Sequence, residues 1–280
     1  MAPRPFRNLP VYWRSPLVPD ADMVTAEYGD HTFAPHWHDA YTVAVIEAGA
    51  ERYDYRGTHH VADTGSVPVL NPGEIHTGAS ATAFGWRYRV FYLPVDFVHS
   101  VAASMADRRL PMPWFAEAVV RDPDLTARLR LAHCALQDGI DPLAAELALT
   151  DAVTTLLGRY AAERPTPAKL HRDAVRVEAM KARLAADLTE PLALSELAAA
   201  VGLSPFHAAR LFTRETGLAP HAWRNQLRLT RALPGLRAGL PATDVAMEQG
   251  FTDLSHFTRH FRKAFGVSPG RWCGRGVAAD

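Results

Sequence analysis

FTDLSHFTRHFRKAFG, residues 251–266, decides the fold of the C-terminal half. Wound as a helix from Asp253, it puts Phe257, Phe261, Ala264 and Phe265 on one stripe and Ser255, His256, Arg259, His260 and Lys263 on the other. The apolar stripe predicts burial. A solvated polar face usually mixes Glu with Lys, yet this one holds no acid between Leu254 and Phe265. Such a face suits a polyanionic partner.

The stretch also closes an internal repeat. SELAAAVGLS (195–204) matches TDVAMEQGFT (243–252) at a separation of 48 residues, pairing Leu197 with Val245, Ala198 with Ala246 and Gly202 with Gly250. After the turn the separation is 49, which pairs Phe206 with Ser255, Arg210 with Arg259, Phe212 with Phe261, Gly217 with Gly266 and Trp223 with Trp272. Each copy reads as a short helix, a tight turn containing Gly, and a second helix opened by a capping residue, Ser204 in the first copy and Thr252 or Asp253 in the second. That is the pattern of a helix-turn-helix, whose second helix enters the major groove of DNA.

Arg210 and Arg259 occupy equivalent places and are the leading base readers, since a bidentate Arg–guanine contact discriminates by ~1 to 3 kcal/mol. Phe206 suits a thymine methyl, Ala209 offers apolar contact, and Leu254, Ser255 and His256 lie at the mouth of the second reading helix. Ser204, Thr252, Thr258, Arg214, Arg262 and Lys263 suit phosphate contacts, which set register without reading sequence. His207 and His260 read as surface residues.

The 280 residues allow two domains, and a 48% hydrophobic content can fill both cores. No run of 18 uncharged apolar residues occurs and the start, MAPRPFRNLP, lacks the apolar middle of a signal peptide, so a cytoplasmic setting is expected. Cys134 and Cys273 are too few for a disulfide framework. The zero net charge divides at ERPTPAKL (163–170): residues 1–168 hold 14 Lys+Arg and 20 Asp+Glu, whereas residues 169–280 hold 16 and 10. The expected organisation is 1–162 as a sensing domain, 163–170 as a linker, and 171–280 as a basic DNA-binding domain.

The segment from Ala193 to Trp272, with its closing GFTDLSHFTRHFRKAFGVSPGRW, resembles the DNA-binding domain of the AraC/XylS transcriptional regulators. The resemblance implies seven helices, with a long helix joining two motifs that reach successive major grooves. It places base contacts on Phe206, Ala209 and Arg210, then on Leu254, Ser255 and Arg259. Two departures stand out. Pro234 and Gly235 fall in the joining helix, where Pro removes a backbone donor, so that helix is expected to kink or end early. Cys273 stands where the family often has Arg, which removes one phosphate contact.

The N-terminal half reads as short alternating strands, YTVAVIEAG, AERYDYRGTHHV, GSVPVLNPGEIHTG and WRYRVFYLP. PHWHDAY (35–41) and NPGEIH (71–76) resemble the two motifs of a cupin barrel, which regulators of this family commonly use to sense an effector. The expected fold class is therefore α+β: a cupin-like β-barrel with a helical hairpin, followed by an all-α domain with two helix-turn-helix motifs. A small-molecule effector is expected against His36, His38, Tyr41, Glu74, His76, Trp86 and Tyr88, with core packing an equal alternative for Trp86 and Tyr88. His36, His38 and His76 have the chemistry to hold a divalent metal. The cupin metal motif, however, expects a Glu where Thr42 and Val43 stand, and Glu47 lies too far along, so the reading favours structural or ligand-touching histidines and no resident cofactor.

Residues 124–161 predict two helices, either a dimerisation hairpin giving a homodimer or a cover for the barrel. The function these features imply is a ligand-responsive, sequence-specific regulator of promoter DNA that acts through DNA binding or RNA polymerase contact. The competing class is a cupin oxygenase or isomerase with a DNA-binding tail. A DNA-alkylation-repair fusion is rejected, because Cys134 sits in an apolar helix with no activating neighbour.

Overall fold

The computed structural model describes residues 6–106, 111–162 and 172–273; the expected linker at 163–170 lies outside them. The chain divides into two compact units, residues 1–164 and 165–273. Among the described residues no helix is long and apolar enough to cross a membrane.

The first unit is mainly β, with strands β1 (Val11–Trp13), β2 (Asp22–Tyr28), β3 (Thr32–His36), β4 (Ala40–Tyr55), β5 (Thr58–Asp63), β6 (Val67–Leu70), β7 (His76–Ser80) and β8 (Trp86–Pro94). Helix α1 (Val95–Ala106), strands β9 (Trp114–Phe115) and β10 (Val119–Val120), helices α2 (Pro123–Asp138) and α3 (Pro142–Tyr160), and strand β11 (Ala161–Ala162) complete it. The main sheet runs β1-β2-β8-β4-β6-β10, while β4 also pairs β5 and β7, and β7 pairs β3.

Two of the expected strands, YTVAVIEAG and AERYDYRGTHHV, are joined. Residues 40–55 form one strand bent at a register shift between Ile46 and Ala48. Gly49 makes the bend feasible: its φ is +72°, and a Cβ there would sit 2.1 Å from the Gly85 carbonyl oxygen. The bulge also reverses the side-chain phase of everything beyond it.

Before the bulge, Tyr41, Val43 and Val45 face outward and join Phe91, Leu93 and the apolar stripes of α1, α2 and α3 in one core. Both helices of the α2/α3 hairpin start on Asp–Pro, with Asp122 and Asp141 as side-chain caps and Pro at the first helical position. A third helix, α1, joins this cover, and no sequence reading anticipated it.

The second unit is all-α. Its described residues form α4 (Arg172–Ala186), α5 (Leu194–Ala199), α6 (Pro205–Thr216), α7 (Pro220–Arg237), α8 (Ala242–Glu248), α9 (Leu254–Phe265) and α10 (Pro269–Cys273). The repeat is realised cap for cap. Ser204 Oγ accepts from the His207 N–H and Asp253 Oδ1 from the His256 N–H, while Gly217 and Gly266 end the two reading helices in the left-handed conformation. Asp253, not Thr252, is therefore the second cap.

Phe257, Phe261 and Phe265 run down the buried side of α9, with Phe261 against Trp272. Val177, Met180, Leu184, Leu197, Ala208 and Phe212 form the core of the first motif.

The joining helix corrects one half of an expectation, that it ends at Pro234. α7 does not stop at Pro234 but continues one turn to Arg237. Gly235 has a packing role there, since a Cβ would meet Val245 Cγ2 of α8 at 3.1 Å. The break comes after Arg237, where Ala238 and Leu240 donate back to Pro234 and Gly235. Arg224 and Arg228 of α7 are buried as well: their guanidinium groups donate to the carbonyls of Asp187, Leu188 and Glu190, beyond the end of α4. Part of the basic excess of this half is thus internal.

Candidate functional site

The repeated reading helices put a matched set of side chains at the surface. Phe206 is 63% exposed and Arg210 lies over its ring at 5.4 Å, so the pair presents a cation beside an apolar edge. Ala209 is half-buried beside them. On α9, Leu254, Ser255, Thr258, Arg259 and Arg262 line a shallow hollow. Leu254, Ser255, Arg259, Arg262, Lys263 and Thr252 are exposed.

Arg210, Arg259, Arg262 and Lys263 make no ion pair with any described residue. Arg214 differs. Asp173 Oδ2 at 3.0 Å and Glu215 Oε1 at 2.8 Å hold its guanidinium, which leaves it less disposed to seek a phosphate. Ser204 spends its hydroxyl on its own helix cap and on His207 Nδ1 at 2.9 Å.

Two histidines depart from expectation. His256, placed by sequence with the exposed readers, packs its ring against Phe251 and His260, and its Nδ1 is buried without a hydrogen-bond partner. His260, read as a surface residue, is half-buried against the same Phe251, and burial with the neighbouring His256 and Arg259 lowers its pKa. Both rings belong to the support of α9.

In the first unit, His36 ends β3, His38 follows it and His76 opens β7, paired directly across from His36. The three rings meet at centroid distances of 4.4, 5.0 and 5.3 Å. Their ligand nitrogens all lie within 4.8 Å of one another. His36 Nδ1 lies 2.7 Å from the Ala34 carbonyl and His76 Nδ1 lies 3.1 Å from the Glu74 carbonyl. Burial holds all three imidazoles neutral, His36 down to about 4.

Tyr88 and Trp86 are buried close by, around Tyr28. Tyr28, Tyr92, Phe33 and Glu51 share this side of the sheet and were not read from the sequence. The Tyr92 ring lies tilted against His38 at a centroid distance of 4.5 Å. Glu51 carries no hydrogen bond or ion pair to any described residue, and burial pushes its carboxyl up to about 8. Its carboxylate lies over Gly78, where a Cβ would come within 2.7 Å of Oε1. Glu51, His38 and Tyr92 are half-buried.

Two expected lining residues lie elsewhere. Tyr41 points to the opposite side of β4, donates its hydroxyl to the Pro113 carbonyl at 2.6 Å and packs on Phe115. The strand phase before the bulge, combined with the apolar cover of α1 to α3, puts it there. The carboxylate of Glu74 is already occupied, accepting from Tyr55 Oη and from Arg56 at 2.7 Å. Arg56 continues to the Phe115 and Ala116 carbonyls, while the Asn71 side chain bonds both N–H and C=O of Phe115. This network ties the His76 loop to β9, and β9 pairs with β11.

Residues 18–153 match the family described as AraC-like ligand binding domain, and residues 197–275 match a helix-turn-helix domain. The chain is 23% identical over 229 residues to an uncharacterised HTH-type transcriptional regulator, YbfI, of Bacillus subtilis, covering 80% of this chain and 81% of that one. It is 24% identical over 263 residues to the transcriptional activator RhaS of Escherichia coli, covering 91% and 88%. The fold of ToxT from Vibrio cholerae matches with a TM-score of 0.52 over 96% of both chains at 11% identity, a likeness of fold alone. An AraC-like ligand-binding unit precedes a doubled helix-turn-helix with exposed, uncommitted arginines, and the chain belongs to the AraC family of transcriptional regulators.

Proposed function

We propose that the protein is an effector-responsive regulator in which the hollow walled by His36, His38, His76, Trp86, Tyr88, Tyr92 and Glu51 takes a small molecule and α6 and α9 read promoter DNA. The observation that carries this reading is the duplication itself: Arg210 and Arg259, at matched positions of two capped helices, are exposed and make no ion pair with any described residue. Arg259, Ser255 and Leu254 read one groove; Arg210, Phe206 and Ala209 read the next; Arg262, Lys263, Thr252 and Thr258 hold phosphates.

The barrel reports through the bond network from the His76 loop to β9 and β11, because β11 is the last described element of the first unit before the DNA-binding unit begins. Effector binding then works by population shift, favouring one arrangement for promoter or RNA polymerase contact. Leu131, Leu143 and Leu147 on α2 and α3, with Ile140 between, are all more than 60% exposed and supply a homodimer surface. The setting is the cytoplasm, and the chain catalyses no reaction. The test is selection of operator DNA from a random pool by the full chain, followed by affinity measurement with and without candidate effectors. Recovery of no preferred sequence refutes the regulator reading.

A further inference from the structure

We propose that His36, His38 and His76 form a three-imidazole site for one divalent transition-metal ion inside the sensing barrel. The inference goes beyond the effector reading and beyond the sequence, in which the missing carboxylate of the cupin motif argued for no metal.

In His36 and His76 the Nδ1 atom is spent on a backbone carbonyl, at 2.7 and 3.1 Å. A carbonyl only accepts, so Nδ1 carries the proton and Nε2 carries the lone pair. Backbone carbonyls that fix the tautomer and turn of a ring are the usual outer support of a metal-ligating histidine. Neither Nε2 has a hydrogen-bond partner among the described residues.

Two lone pairs therefore face a third imidazole, that of His38, and the three rings together offer the nitrogen donor set that a divalent transition metal takes. Three neutral imidazoles suit Zn²⁺, Ni²⁺, Cu²⁺ or Fe²⁺, whereas Mg²⁺ and Ca²⁺ prefer oxygen. Ligands at ~2.0–2.1 Å about a tetrahedral ion lie ~3.3 Å apart. The nitrogens, within 4.8 Å of each other, close that gap by small side-chain rotations.

No fourth protein ligand is supplied by the carboxylates nearest in sequence. Glu47 points to the other side of β4 and is held by Arg89 at 2.8 Å and Arg87 at 3.5 Å, and Glu74 is held by Arg56. The site thus presents three nitrogens and at least one open position toward the hollow that also contains Tyr92 and the unpartnered Glu51. An effector with an oxygen or nitrogen donor completes the coordination from that side.

The experiment uses the full chain without a polyhistidine tag, stripped with chelator, titrated with Zn²⁺ alone and measured by elemental analysis after gel filtration. About one Zn²⁺ per chain is expected. His76→Asn and His36→Asn keep a donor for the Glu74 or Ala34 carbonyl and remove Nε2. Each should weaken Zn²⁺ binding by more than the ~10- to 100-fold that loss of an outer support costs, while the exposed His59→Ala leaves it unchanged. Near-UV circular dichroism checks that the variants fold.

If they do not fold, X-ray absorption of the Zn²⁺-loaded parent decides: a first shell containing three imidazoles at ~2.0–2.1 Å is expected. Absence of stoichiometric Zn²⁺ from the parent, undiminished binding in both folded Asn variants, or a shell without three imidazoles overturns the site. Since this readout contains no DNA, its failure leaves the regulator reading standing, and failure of operator binding leaves the metal site standing.

Discussion

Arg214, Arg262 and Lys263 look alike in sequence, as cations on a reading helix, and the structure separates them. Asp173 and Glu215 hold the guanidinium of Arg214 at 3.0 and 2.8 Å, while Arg262 and Lys263 meet no acid among the described residues. Each phosphate neutralised on B-DNA contributes ~0.9 to the slope of log affinity against log salt. From 50 to 200 mM salt that is ~0.5 in log affinity, or a ~3.5-fold change per contact. Arg262→Ala and Lys263→Ala should each flatten the slope by ~0.9, and the pair by ~1.8, with sequence preference unchanged. Arg214→Ala should leave the slope within ~0.3 of the parent, because the parent side chain already has its counter-charges. Fluorescence anisotropy on a selected operator at four salt concentrations gives all the slopes. Equal flattening by the three variants, or none from Arg262→Ala, refutes the assignment of phosphate contacts from uncommitted charge.

The repeat equates Gly202 with Gly250, but a Cβ at Gly202 meets nothing within 4 Å, whereas at Gly250 it lies 2.2 Å from the Leu188 carbonyl oxygen that Arg228 grips. Gly202→Ala should cost ~1 to 2 kcal/mol for its left-handed φ, and Gly250→Ala ~2 kcal/mol more for the disturbed charged hydrogen bonds; equal losses in thermal melts contradict this. Between the ordinary carboxyl value of 4.5 and about 8, Glu51 stays protonated in the folded state while it ionises in the unfolded one, so it makes stability fall as pH rises through that window. The stability of Glu51→Gln relative to the parent should therefore increase from pH 4.5 to 8 and level off above; a flat difference contradicts the burial of this carboxyl. Arg56→Ala removes the bonds to Glu74, Phe115 and Ala116, and amide exchange should rise at residues 114–116 and 161–162 while β2 and β8 keep their protection.

The C-terminal unit was largely legible because its decisive signals are local: Ser204, Asp253, Gly217 and Gly266 act within one helical turn, and the phenylalanines of α9 keep a helical period. What escaped was long-range. Nothing in the sequence around Arg224 and Arg228 announces the carbonyls beyond α4 that take their guanidinium groups. Gly235 read as a defect until Val245 is seen against it. In the first unit, PHWHDAY and NPGEIH located the three histidines, since two short motifs fix their own neighbourhoods. Glu51 escaped because the bulge after Ile46 inverts the alternation from which facing is read, and Tyr41, before the bulge, faces the apolar cover of α1 to α3 that only the packing reveals. Glu74 looked like a free carboxylate because nothing in NPGEIH announces Arg56, eighteen residues earlier.

The central claim is that two equivalent arginines on duplicated helices each read a base. Operator selection from a random pool with the parent, Arg210→Ala and Arg259→Ala measures it directly. Each variant should lose preference at one base position, a different one for each, about one turn of duplex apart, with affinity for the parent operator falling by ~1 to 3 kcal/mol. Loss at the same position in both variants, or unaltered preference in either, contradicts it.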